Sequence, residues 1–259
     1  MSAIPDSFDA TFLDWLQDQM EKAWTSYEPV SFEDYVAGGV GGVDWQRNTR
    51  WLEGLSEPEI DRIEHQWAIR FPPDYRLFLR HLHTVDRPMR GARYTEYIEG
   101  GPGSHMVPNE RSLFYNWLTG SDELKRALDW PLDGLLFDIE HSGLWLPGWG
   151  PRPATLSDQE AHVRALAAAA PRLIPVFEHR YLPSEPCQPG NPVLSIYQSD
   201  IVLYASNLRS YFLFEFSELL GLQTPHDRLS PDIDRAEHLI GRLPFWGDVY
   251  AWNNKSSSY

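Results

Sequence analysis

The sequence predicts an α+β fold with a helical N-terminal arm, and three observations carry that class. Segments from Leu55 onward combine helix-start residues with apolar side chains at 3.6-residue spacing. Three β-rich runs, Leu173 to Phe177, Val193 to Tyr197 and Ile201 to Tyr204, cluster late in the chain. The two kinds of signal do not alternate regularly, which argues against a doubly wound parallel sheet.

In chain order, Phe8, Phe12, Leu16, Met20 and Trp24 recur every four residues, with Trp15 alongside and Asp14, Asp18 and Glu21 opposite, so Ser7 to Trp24 reads as an amphipathic helix. The run Ala37-Gly38-Gly39-Val40-Gly41-Gly42-Val43 cannot sustain a helix interior. It reads as a hinge, which sets residues 1–42 apart as an arm and leaves 43–259 as the main domain. No Lys-Ser or Lys-Thr pair follows it, so it is not a phosphate cradle. Ser56 and Glu59 form a capping box for a helix with the stripe Ile60, Ile63 and Trp67. Phe71-Pro72-Pro73-Asp74-Tyr75 ends that helix and opens another, whose apolar face is Tyr75, Phe78, Leu79 and Leu82.

Arg93 to Ile98 reads as a short strand inside a Gly- and Pro-rich excursion. Leu113 to Trp130 reads as short helical pieces stopped by Pro131, and Gly134 to Asp138 as an apolar strand. Ser157 and Glu160 suggest a second capping box ahead of Ala161 to Ala170. Gln198-Ser199-Asp200 separates the last two β-rich runs as a hairpin turn. Tyr211 to Leu220 and Pro231 to Ile240, with Ser230 as N-cap, read as helices, and the polar tail from Asn253 to Tyr259 reads as frayed.

Composition bounds the function. Of 259 residues, 42% are apolar and 23% charged, the balance of a folded globular protein. Each apolar stretch is broken well before the roughly 20 residues of a membrane span. Asp6 and Asp9 stand where a secretory leader would be basic and then apolar, so a cytoplasmic address is expected. Cys187 is the only cysteine, which excludes intrachain disulfides and thiolate metal clusters. Against 22 Lys and Arg stand 37 Asp and Glu, a net charge of −15, which disfavours nucleic acid and favours a basic protein partner. The excess is uneven: residues 1–50 hold nine acids against three bases, and residues 131–220 hold ten against five.

Several side chains are candidates for chemistry. On an extended strand Asp138 and Glu140 would point to the same side, a pairing that suits acid–base work, with His141 and Trp145 near by; this is the hydrolase alternative. His81 and His83 would lie about 200° apart on a helix, so they do not suggest a metal pair. Gly-x-Ser-x-Gly is absent, Cys187 sits in a Pro-rich stretch, and no cofactor is implied. Trp145 and Trp149 flank Leu146-Pro147-Gly148 with Arg152 close behind, the residue types that dominate interface hot spots. His179-Arg180-Tyr181 reads as a strand end whose polar groups face solvent or a partner, and Asp200 lies in an acid-rich region. The candidate partner-binding set is therefore Asp138, Glu140, Trp145, Trp149, Arg152, Arg180 and Asp200.

Leu55-Ser56-x-x-Glu59-Ile60-x-x-Ile63-Glu64 followed by Phe71-Pro72-Pro73-Asp74-Tyr75-x-x-Phe78-Leu79 resembles the first two helices of the SUKH superfamily, which includes yeast cell-wall-assembly regulators and bacterial immunity proteins. Trp130-Pro131-x-x-Gly134 with Phe137-Asp138-Ile139-Glu140 and Trp145 is similar to its central segment, as are Pro175-Val176-Phe177, Gly190-Asn191-Pro192-Val193-Leu194-Ser195 and Asp200-Ile201. Pro244-Phe245-Trp246-x-Asp248 looks like its closing motif. The likeness runs from Trp51 to about Tyr250 and departs at His81-Leu82-His83-Thr84, where relatives commonly carry Asn-Gly. It implies a central sheet wrapped by helices and a protein-binding, non-catalytic role, often neutralisation of a toxin such as a nuclease. An intracellular scaffold or regulator that docks through the arm is the alternative.

Overall fold

A four-stranded antiparallel meander forms the centre of the chain: β6 (Leu173–Phe177), β7 (Arg180–Pro183), β8 (Val193–Tyr197) and β9 (Asp200–Ala205), each paired with the next. The computed structural model describes residues 3–39, 41–95, 104–222 and 232–256. Before the meander come α1 (Ala10–Thr25), α2 (Phe32–Gly38), β1 (Gly42–Asp44), β2 (Trp51–Glu53), α3 (Glu57–Trp67), α4 (Pro73–His81), β3 (Leu82–Val85), β4 (Met89–Tyr94), β5 (Met106–Arg111), α5 (Ser121–His141) and α6 (Leu156–Ala168). After it come α7 (Leu208–Glu215), α8 (Ile233–Ile240) and α9 (Trp246–Ser256). Strands β1, β4 and β5 make a second antiparallel sheet, and β2 pairs with β3. The class is α+β, as the sequence predicts.

The meander is buried on both faces because its side chains alternate between two cores. Ile174, Val176, Leu182 and Val193 join a large aromatic core with α1, α3, α4 and α7. Leu173, Tyr181, Leu194, Ile196 and Ile201 join a second core with α5, α6 and α9. The sheet is thus wrapped by helices.

Local chemistry explains several boundaries. The Glu59 carboxylate accepts from both the N–H and the hydroxyl of Ser56, at 2.8 and 2.7 Å, so the expected capping box opens α3. Pro73 occupies the first turn of α4, where no intrahelical donor is required. The cap of α6 lies two residues earlier than expected and is a simple one: Thr155, not Ser157, caps the helix, its hydroxyl accepting from Asp158 N–H at 3.2 Å. Gln198 and Ser199 join β8 to β9, with Gln198 in the left-handed region.

Helix α5 is the main departure. Gly134 to Asp138 is helix rather than strand, and the helix runs unbroken through Pro131. Proline cannot donate to the carbonyl four residues back, that of Ala127. The Tyr181 hydroxyl donates to that carbonyl instead, at 2.9 Å, and supplies the missing bond from the sheet. Gly134 allows close approach on the same side, since a Cβ there would stand 2.8 Å from the Gln198 Cα.

The helix of the N-terminal arm packs on the main domain. Phe12, Leu13, Trp15, Leu16, Met20 and Trp24 of α1 are all buried, most at zero exposure, in the larger core. Phe8 stacks on Phe212, and the Arg209 guanidinium caps this end by donating twice to the Pro5 carbonyl. The apolar face of α1 is spent on the chain itself, so it offers no docking stripe. Within the glycine run, Gly39 ends α2 in the left-handed conformation and Gly42 enters β1. Glu96 to Ile98, Ser230 and Pro231, and Ser257 to Tyr259 fall outside the described residues, so the expected strand end, helix cap and frayed tail are not assigned there. No helix among the described residues is long and apolar enough to cross a membrane.

Candidate functional site

The seven sequence-derived candidates separate into three groups. Asp138 is buried on α5, where its Oδ2 accepts the Ser199 N–H at 2.9 Å and so ties the helix to the β8–β9 turn. Glu140 lies two residues on, about 200° around the helix, exposed and 3.7 Å from His141 Nδ1. The same-side carboxylate pair required a strand and does not form. Asp200, next after Ser199, is exposed and accepts from Asn253 Nδ2 at 2.7 Å.

The tryptophan loop is the second group. Trp149 is buried and stacks on Phe245 with ring centroids 5.9 Å apart. Trp145 sits edge-on to it and donates to the Gly150 carbonyl at 2.9 Å. Arg152 holds the loop by donating to the Gly143 carbonyl and to Gln159 Oε1, with its guanidinium 5.9 Å from the Trp145 ring centroid. These residues fasten a loop to its own helix.

Arg180 stands apart from both groups. Its guanidinium lies 3.9 Å from the Tyr204 ring centroid, donates to Ser195 Oγ at 3.1 Å and approaches the Glu215 carboxylate to 3.5 Å. Only about an eighth of its side chain is exposed, at 12%, so it is an interior cation held by a buried acid and an aromatic face. Burial would lower its pKa, but Glu215 and Tyr204 outweigh that effect and hold it above the usual guanidinium value.

Sequence reasoning passed over the outer face of α5. Trp130, Asp133, Phe137 and Glu140 follow at spacings of three, four and three residues and share one helix face. Leu135, Leu136 and Ile139 are buried on the other side. Trp130 and Phe137 are 43% and 48% exposed, and Tyr197 of β8, 5.9 Å from Trp130, is 40% exposed. Trp130 Nε1 donates to the Ile196 carbonyl at 3.3 Å, which fixes the indole against the sheet, and Phe137 stacks on His141 at 4.0 Å. The signal is present in the sequence as a helical period, which a stop at Pro131 hides.

Next to this face opens a cleft of about 860 Å³ between β5, the first half of α5 and the β6–β7 turn, with Trp130 and Tyr197 contributing to its lining. Glu178 in the turn has a left-handed backbone, φ 50°, and its side chain lies between His179 Nδ1 at 3.5 Å and Arg111 at 3.6 Å. Burial and the adjacent Arg180 cation lower the pKa of His179 and favour its neutral form. Among the described residues, no three His, Cys, Asp or Glu side chains are grouped to hold a metal ion.

No protein-family model, curated protein or solved structure matches the chain.

Proposed function

We propose that this chain is a non-catalytic protein-interaction module of SUKH type, an immunity protein that neutralises a basic toxin by covering it with the outer face of α5. The observation that carries this reading is the exposure of Trp130, Phe137 and Tyr197 on a face that also holds Asp133 and Glu140. Large aromatic groups dominate interface hot spots, and these three rings, although partly held from within, leave 40% or more of their surface to water. The acidic residues beside them, within a net charge of −15, select a cationic partner and speed its encounter. Inhibition then needs only steric cover.

The test is binding of the purified chain to the toxin candidates encoded beside its gene. A cognate toxin binds, its association slows as salt is raised, and Trp130→Ala or Phe137→Ala weakens the complex roughly tenfold or more. Absence of binding to every candidate at low salt overturns the toxin reading, and binding untouched by both substitutions overturns the assignment to this face.

A further inference from the structure

We propose that the cleft beside Trp130 is a receptor for one cationic side chain, an arginine or lysine presented by the partner. The inference rests on the protein-binding reading above and deepens it by naming what the partner inserts. Three observations converge. The cleft is large enough for a side chain, at about 860 Å³, and Tyr115, Tyr181, Trp130 and Tyr197 contribute to its walls. Tyr181 is buried at 1% exposure with its hydroxyl on the Ala127 carbonyl, so the rings open to a ligand are those of Trp130, Tyr197 and the partly buried Tyr115, and such faces suit a guanidinium or ammonium group.

The second observation concerns charge. Glu110 is held by Arg90 at 2.6 Å, and Glu178 lies between Arg111 and His179. Glu123, in the first turn of α5 and half-buried in the cleft, makes no hydrogen bond or ion pair among the described residues. Arg111 and Arg126 act on it only at longer range, and burial holds its carboxyl above the usual range. Arg126 also lines the cleft and makes no ion pair among the described residues, but it is exposed, whereas Glu123 is half-buried. The half-buried unpaired charge in the cleft is therefore negative. Holding a carboxylate half out of water without a direct partner is unfavourable, and an entering cation would relieve that cost.

The third observation is position. Trp130 and Tyr197 belong both to the cleft lining and to the exposed aromatic face, so a partner seated on α5 would have a side chain within reach of Glu123.

The experiment uses the full chain and three small probes at low salt: blocked arginine amide, blocked lysine amide and the uncharged blocked norleucine amide. Binding is followed on the indole Nε1–H resonance of Trp130, assigned with Trp130→Phe. Saturable shifts with the two cations, none with norleucine, and a roughly tenfold loss of affinity in Glu123→Gln are expected. Tyr197→Ala, at an exposed position, should weaken the same binding in a folded protein. Equal shifts with all three probes, no saturable shift with any, or unchanged affinity in Glu123→Gln overturns the inference. Its failure is distinguishable from that of the toxin reading. A toxin that binds Glu123→Gln as well as the parent chain removes the cleft and keeps the toxin. A cleft that takes arginine while no candidate toxin binds keeps the cleft and removes the toxin.

Discussion

The backbone N–H of Trp117 donates to Nε2 of His83 at 2.9 Å inside the larger core. An imidazole nitrogen can accept only while it is unprotonated, so the bond and the neutral ring depend on each other. Burial lowers the His83 pKa from 6.5 to about 4. Above pH 6.5 the ring is neutral in both folded and unfolded chains and stability is unaffected. As the pH falls from 6.5 towards 4, the unfolded chain takes up a proton that the folded one refuses, so stability is lost across that window, by ~2–4 kcal/mol. Urea unfolding between pH 7.5 and 4.5 should show this loss. His83→Gln, whose amide oxygen can still accept from Trp117, should show a shallower slope; equal slopes would remove His83 as the cause.

The packing of Leu16 at zero exposure makes α1 part of the cooperative unit. Leu16→Ala should lower the free energy of unfolding by ~2–5 kcal/mol. Tertiary signals from the whole chain should move together in denaturant. An independent arm would instead unfold early and leave the main transition where it was.

Asp138 and Glu140 should separate cleanly in a stability assay. Asp138→Ala strips the acceptor from the Ser199 N–H and should cost ~1–3 kcal/mol, with Asp138→Asn retaining part of it through the amide oxygen. Glu140→Gln, at an exposed position, should change thermal stability by less than ~0.5 kcal/mol. The reverse order would mean that the tie between α5 and the β8–β9 turn contributes little.

How far these features could be read from the sequence depended on how local their causes are. Helices α3 and α4 were legible because Ser56, Glu59 and Pro73 act within one turn of the boundaries they set. The β8–β9 hairpin was legible because both strands and the turn lie within thirteen residues. Helix α5 was not, because the group that makes Pro131 tolerable is a tyrosine hydroxyl about fifty residues further on. That single long-range bond concealed the candidate site as well, since Trp130, Phe137 and Glu140 share a face only if the helix continues. The placement of α1 was hidden in a similar way: its amphipathic period was plain, but the partner that covers it includes Phe212 near the other end of the chain.

The bond from Arg209 to the Pro5 carbonyl spans more than two hundred residues. During synthesis α1 would leave the ribosome long before α7 exists, with its six large apolar side chains lacking part of their cover. Contacts of such separation form late and slow the search for the native state. The meander, whose strands pair only with neighbours in order, can assemble quickly once made, but it emerges only just before α7 and so cannot shelter α1 earlier. Nascent chains cut short before Arg209 should therefore be aggregation-prone through their first helix, and a chaperone that shields that helix would be the factor on which yield depends.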